Sequence, residues 1–118
     1  MKTNVDNPAQ VVIPVSYPDT TIFNGTGPNG AYADLDTGIG RQGIVYLQVT
    51  NTDIAIGGFY FRTRGETLNT GENGICSAPI NTGGNHTSYF WVITDSLGYV
   101  QWIVNVGITC IVKVKAVI

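Results

Sequence analysis

The sequence predicts an all-β fold, a single antiparallel β-sandwich of jelly-roll type with about eight strands. Three observations lead to this class. Short runs of β-branched and aromatic residues recur along the chain, and apolar and polar residues alternate within them. Gly, Pro, Asn and Asp interrupt the chain too often for a helix of ten or more residues. At 118 residues, the chain has room for one domain with its own core.

The chain is predicted to begin with a polar arm, residues 1–9, which is followed by a sandwich domain over residues 10–118. The arm lacks any apolar periodicity. The candidate strands are residues 10–17, 20–24, 31–35, 43–50, 55–64, 74–78, 87–94, 99–105 and 109–117. Segments rich in Gly, Asn and Thr separate them and are predicted to be surface loops, at residues 25–30, 37–42, 68–74 and 81–85.

The alternation within two strands predicts which side chains form the core. Successive residues of a strand point to opposite faces of the sheet. The inward set is Val45, Leu47, Val49, Phe59 and Phe61; the outward set includes Ile44, Tyr46, Gln48, Tyr60, Arg62 and Arg64.

The strongest local pattern lies between residues 89 and 104. Two β-prone runs are separated by four turn-forming residues, Asp95-Ser96-Leu97-Gly98. This arrangement predicts an antiparallel hairpin.

The charge and composition argue against several classes of protein. Only 12% of the residues are charged, the net charge is −2 and six residues are basic, so a nucleic-acid interface with several phosphate contacts is not expected. The sequence contains no run of 18 apolar residues, the length that a membrane-spanning helix needs. The N-terminal sequence lacks the apolar stretch of a secretory signal, which favours a protein that stays where it is made, with Cys76 and Cys110 reduced. Cys110 is expected to act as a small core residue.

The titratable residues do not form a recognisable catalytic or metal-binding pattern, so neither an enzyme nor a cofactor is expected. His86 is the only histidine and is predicted to be an exposed loop residue, because zinc or acid–base sites need partners. Asp34 and Asp36 are expected to cap a turn more readily than to bind calcium, which takes six to eight oxygens. The aromatic residues leave two possibilities open, a sugar-stacking platform or a core and subunit interface; they are Tyr60, Tyr89, Trp91, Tyr99 and Trp102.

Several phrases of the sequence resemble small β-sandwich auxiliary virion proteins of tailed phages, of the head-decoration, head-fibre or tail-fibre type. The resemblance runs through residues 43–51 (GIVYLQVTN), 59–66 (FYFRTRGE) and 94–102 (TDSLGYVQW), and continues into the β-rich end of the chain. It implies an auxiliary structural protein of the virion that forms a homo-oligomer, with a trimer favoured, and binds the major capsid or another virion protein. It implies no catalytic residues.

The residues expected at protein interfaces come from the arm and from the outward set. They are Thr3, Val5, Pro8, Ile44, Tyr46, Tyr60, Arg62 and Arg64. The alternative function is a carbohydrate-binding, lectin-like module, for which exposed Tyr and Trp would have to line a shallow groove. A hydrolase that uses His86 is the third hypothesis, and the sequence lacks the other residues that such a site needs.

Overall fold

The computed structural model describes residues 14–65, 80–82, 85–105 and 107–118, with backbone alone for 80–82. It confirms the predicted all-β fold: the described chain forms eight strands in two antiparallel sheets. The strands are β1 (Thr20–Thr26), β2 (Ala33–Asp36), β3 (Ile44–Asn51), β4 (Gly57–Thr63), β5 (Ile80–Thr82), β6 (Thr87–Ile93), β7 (Tyr99–Val104) and β8 (Thr109–Val117).

The strand order is that of a jelly roll. Sheet A has the order β1-β8-β3-β6, and sheet B has the order β2-β7-β4-β5. The antiparallel pairs are nested, because β4 pairs with β5, β3 with β6, β2 with β7 and β1 with β8. Such nesting is what a long two-stranded ribbon produces when it rolls up, and further pairing of β3 with β8 and of β4 with β7 completes each sheet.

The predicted hairpin of residues 89–104 is wrong. β6 lies in sheet A and β7 lies in sheet B, so the turn between them crosses from one sheet to the other. The turn itself is tight, since the N–H of Asp95 donates to the carbonyl of Tyr99 (2.9 Å) and the N–H of Gly98 donates to that of Asp95 (3.0 Å). The strands separate because each has another partner, β3 for β6 and both β2 and β4 for β7. In this arrangement Phe90 and Trp102 face one interior from opposite sides.

The remaining differences from the predicted elements lie near the ends of the described segments. The described part of the predicted strand 10–17 does not form a strand. Between Pro14 and Pro18 only Ser16 pairs, in an isolated bridge to Val117, and the two prolines cannot donate to a strand ladder. The strand Ile80–Thr82 overlaps the loop that was predicted at residues 81–85. The arm (residues 1–9) and the predicted strand 74–78 lie outside the described residues, as do residues 10–13.

The predicted core is confirmed. Val45, Leu47, Val49, Phe59 and Phe61 are all 0% exposed. Cys110 is also buried among them, as expected, and its burial raises the pKa of the thiol to about 11; Cys76 lies outside the described residues.

A buried threonine ties the loop between β2 and β3 to the end of β6. The hydroxyl of Thr94 donates to the carbonyl of Arg41 (2.8 Å) and accepts from the N–H of Gly43 (2.9 Å). Thr94 is 0% exposed, so these bonds satisfy a polar group that would otherwise be costly to bury. This end of the sandwich is therefore held by specific contacts between two loops.

Candidate functional site

The structure divides the predicted interface residues between two opposite surfaces. Ile44 and Tyr46 lie on the outer face of sheet A, whereas Tyr60, Arg62 and Arg64 lie on the side of sheet B. These five residues therefore do not form one contiguous surface. The other three, Thr3, Val5 and Pro8, lie outside the described residues.

The outer face of sheet B carries a polar network that links three strands. The guanidinium of Arg64 donates to Asp95 (2.7 Å) and to Asp34 (3.1 Å). Gln101 joins the other arginine to this network, because its amide donates to Asp34 (3.0 Å) and accepts from Arg62 (3.1 Å). The network needs an amide at this position, because a glutamate in place of Gln101 could accept from Arg62 but could not donate to Asp34.

Both arginines of this network also lie over aromatic rings. The guanidinium carbon of Arg62 is 3.6 Å from the ring centroid of Tyr32, and that of Arg64 is 3.9 Å from the ring centroid of Tyr99. Such cation–π contacts hold the side chains in place. A partner that used these arginines would have to replace contacts the chain already makes, so this face is a poor candidate for a binding surface.

The carboxylates of this network predict how stability depends on pH. The backbone N–H of Tyr99, followed by Arg64, lowers the pKa of Asp95 below its ordinary 3.8, and the amide of Gln101 leads the causes that lower the pKa of Asp34. A carboxyl whose pKa is lower in the folded state stabilises the fold above its unfolded pKa. That stabilisation is lost as the pH falls below about 4.

We therefore expect Asp95→Asn to lower the free energy of unfolding at pH 7, with a difference from the parent that narrows between pH 4 and pH 2. Urea denaturation followed by circular dichroism measures it at each pH. The control is Asp36→Asn, because Asp36 lies outside this ion-pair network. A difference for Asp95→Asn that stays constant from pH 7 to pH 2 would contradict the assignment.

The outer face of sheet A carries a cluster of three stacked aromatic rings, which we call the aromatic row. Tyr46 of β3 stacks on Trp91 of β6 (centroids 4.3 Å apart, planes at 29°) and on Tyr89 of β6 (5.1 Å, 16°). The amide of Gln48 donates to the Tyr89 hydroxyl (2.8 Å). Because Tyr46 lies directly opposite Trp91 in the register, the row is fixed by the pairing of two strands as well as by its own contacts.

The aromatic row is partly open to solvent. Trp91 is 52% exposed, Tyr89 is 45% exposed and Ile44, at the end of the same face, is 38% exposed. The outward position predicted for Ile44 and Tyr46 is confirmed. A contiguous group of exposed apolar side chains on one face of a sheet is one of the features that mark a binding surface.

The sequence alone did not distinguish the exposed aromatic side chains from those in the core or on the other sheet. Trp102 is 1% exposed in the core, so it cannot form part of a sugar-stacking platform, and Tyr99 lies under Arg64 on the other sheet. The signal that could have found the row is period two within β6, where Phe90 and Val92 are buried and Tyr89 and Trp91 alternate with them.

The other titratable residues considered from the sequence have structural roles, but Asp34 does not cap a turn as expected, because it lies in β2 and accepts from Arg64 and Gln101. His86 is exposed and lies outside any strand, and Asp36 accepts from the N–H of Gly38 (2.8 Å) as a turn cap. Within residues 14–65, 80–82, 85–105 and 107–118, no three His, Cys, Asp or Glu side chains are grouped so that they could hold a metal ion. The same residues contain no helix long and apolar enough to cross a membrane.

Comparison of the chain with protein-family models, curated proteins and solved structures finds no match.

Proposed function

We propose that this protein is an auxiliary structural component of a virion, of the capsid-decoration or head-fibre type, and that it attaches by protein–protein contacts through the outer face of sheet A. The aromatic row is the observation that carries the proposal. Aromatic side chains are enriched at protein interfaces because they bury a large area at a small cost in side-chain entropy. Jelly rolls serve both as viral capsid domains and as lectins, so the surface, and not the fold, has to decide between them.

The orientation of the rings favours a protein partner over a saccharide. Tyr89 and Trp91 each turn a face toward Tyr46, with ring centroids 5.1 Å and 4.3 Å from it. A sugar ring stacks on an open aromatic face, and stacking within the row reduces the face area that is left for one. A protein surface can instead pack against the ring edges and against Ile44.

The size of the row indicates weak binding by one copy. The two strands that carry the row, β3 and β6, cover an area of about 10 Å by 23 Å, or roughly 200 Å². Each partner in a stable complex usually buries about 800 Å² of its surface. Several copies held together would add their contacts through effective concentration. This supports the further proposal that the chain works as a homo-oligomer, with a trimer favoured, on a repetitive surface such as a capsid.

Replacing Trp91 with alanine is expected to weaken attachment about tenfold or more, because truncating a central interface aromatic costs about 1–2 kcal/mol. The measurement is co-sedimentation of purified protein with particles of the virus whose genome encodes it. The control is Leu97→Ala, since Leu97 is 60% exposed in the turn that leaves sheet A for sheet B, outside the aromatic row, and its loss should leave attachment unchanged. A variant without residues 1–9 tests the proposed contribution of the arm in the same assay.

Three results would contradict the proposal. The first is purified virions that do not contain the protein, and the second is equal attachment of the Trp91→Ala and parent proteins. The third is a monomer at all accessible concentrations in sedimentation velocity, which would remove the oligomer from the proposal.

A carbohydrate-binding module is the second candidate, and one observation favours it. The Gln48 amide and the Tyr89 hydroxyl are hydrogen-bonded beside a half-exposed tryptophan, and the outer side of Trp91 could receive a sugar ring. Saturable binding on a glycan array that is lost in Trp91→Ala, together with the absence of the protein from virions, would establish this function in place of the first.

A further inference from the structure

Two lysines lie beside the aromatic row on the outer face of sheet A. Lys113 of β8 and Tyr89 of β6 lie on either side of Gln48 in the register, which places their backbones about 10 Å apart. Lys115, two residues further along, lies next to Ala116, the partner of Tyr46. The lysine side chains are 37% and 32% exposed.

Among the residues that the structure describes, the carboxylate of Asp19 is the one that faces both lysines. One oxygen of Asp19 lies 2.7 Å from Nζ of Lys115 and 3.8 Å from Nζ of Lys113. Only the first distance is a hydrogen bond. Counting only side chains in the described part of the chain, the charges gathered here are two lysines and one aspartate, in a chain whose net charge is −2. The face that carries the aromatic row therefore has a local excess of positive charge.

Asp19 is positioned by an unusual backbone conformation. Its φ of +49° is in the left-handed region, which residues other than glycine seldom adopt, although Asp and Asn tolerate it better than most. The residue lies between the Ser16 bridge and the start of β1, and its side chain is 55% exposed. Asp19 therefore sits at the rim of the face, within reach of solvent and of anything that docks there.

We propose that the outer face of sheet A recognises an acidic protein segment, whose carboxylates bind Lys113 and Lys115 while its apolar side chains cover the aromatic row, and that Asp19 competes with those carboxylates. The inference rests on the proposed function and names the chemistry of the partner. Charge complementarity selects an acidic segment, and the stacked rings select side chains over sugars. Because Asp19 already neutralises part of the lysine charge, it sets the affinity below what the lysines alone would give.

The proposal makes Asp19→Asn a variant that binds more tightly. Asparagine has nearly the same shape and adopts positive φ readily, so the fold is kept while the competing charge is removed. We expect affinity for an acidic partner to rise about threefold to fivefold, the upper part of the range for an exposed ion pair, and the Lys113→Gln, Lys115→Gln double variant to lose at least as much. The gain should shrink as salt is raised from about 50 mM to 500 mM, because exposed charges are screened.

The experiment uses the full chain and a soluble random copolymer of glutamate and tyrosine as the probe. The protein has two tryptophans, of which Trp102 is buried and Trp91 is half exposed, so intrinsic fluorescence reports on this face directly. A lysine–tyrosine copolymer and polyglutamate serve as matched probes, and Trp91→Phe shows that the signal comes from this residue. We expect saturable binding of the glutamate–tyrosine copolymer alone, tighter in Asp19→Asn.

Each other outcome overturns the inference. Equal affinities for Asp19→Asn, the double lysine variant and the parent would remove the electrostatic part. Tighter binding of an acidic polysaccharide than of the copolymer would assign the face to a glycan, and a fluorescence change that follows protein concentration alone would assign it to a second copy of the chain. If Trp91→Ala loses attachment to virus particles while the charge variants do not, the proposed function stands and this inference fails; if Trp91→Ala attaches normally, both fail.

Discussion

Replacing Trp102 with alanine is expected to lower the free energy of unfolding by about 3–5 kcal/mol, the range for removing a large aromatic side chain from a packed core. Trp102 is 1% exposed. It stacks on Phe61 (5.5 Å, 15°) and meets the edge of Phe23 from the other sheet (4.8 Å, 76°). Because the indole joins the two sheets, alanine would leave a cavity that neighbouring strands cannot close without shifting. A loss of this size is a large part of the 5–15 kcal/mol that stabilises a typical domain.

The other tryptophan supplies the matched control for this prediction. Trp91→Ala removes the same side chain from the outer face of sheet A, where it is 52% exposed, and should cost about 1 kcal/mol or less. Guanidinium denaturation followed by far-UV circular dichroism compares the variants without relying on tryptophan fluorescence. Equal losses for the two substitutions would mean that Trp102 is not the residue that joins the sheets.

Much of the fold follows from local patterns in the sequence. The alternation over residues 43–50 identifies Val45, Leu47 and Val49 as buried because one face of a strand in a sandwich always meets the core. The range predicted for the last strand agrees with β8, Thr109–Val117. These features depend only on neighbouring residues, which the sequence displays directly.

The pairing of the strands does not follow from local patterns. A turn of the form Asp95-Ser96-Leu97-Gly98 fits a hairpin as well as a crossover between sheets, because its own hydrogen bonds are similar in both. The difference is decided by β3, more than 40 residues earlier in the chain, which takes the position beside β6. The same holds for the surface: Ile44 and Arg62 are both outward residues of their strands, and only the assignment of β3 and β4 to different sheets places them on opposite sides.

Replacing Gly98 with alanine is expected to destabilise the fold by about 2–5 kcal/mol. Gly98 has φ of +89°, which costs an L-residue about 1–2 kcal/mol. A β-carbon at this position would also lie 2.6 Å from the backbone nitrogen of Gly40 and 3.2 Å from that of Arg41. Overpacking of this kind costs typically 1–3 kcal/mol more, and the obstructing atoms are backbone, which cannot rotate away as a side chain can.

The test of this contact is the comparison with Gly38→Ala, measured by the same denaturation. Gly38 has nearly the same conformation (φ +83°) but has no atom within 4 Å of an added β-carbon, so its substitution isolates the backbone strain of about 1–2 kcal/mol. In the jelly roll, the β6–β7 turn lies against the loop that follows β2, and Thr37 donates to the carbonyl of Gly98 through both its N–H (3.1 Å) and its hydroxyl (2.6 Å). In a hairpin of residues 89–104, Gly98 would occupy an open turn, and both alanine variants would lose the same stability. A clearly larger loss for Gly98→Ala therefore measures the crossover itself, because only the packing of one loop on another between the two sheets separates the two glycines.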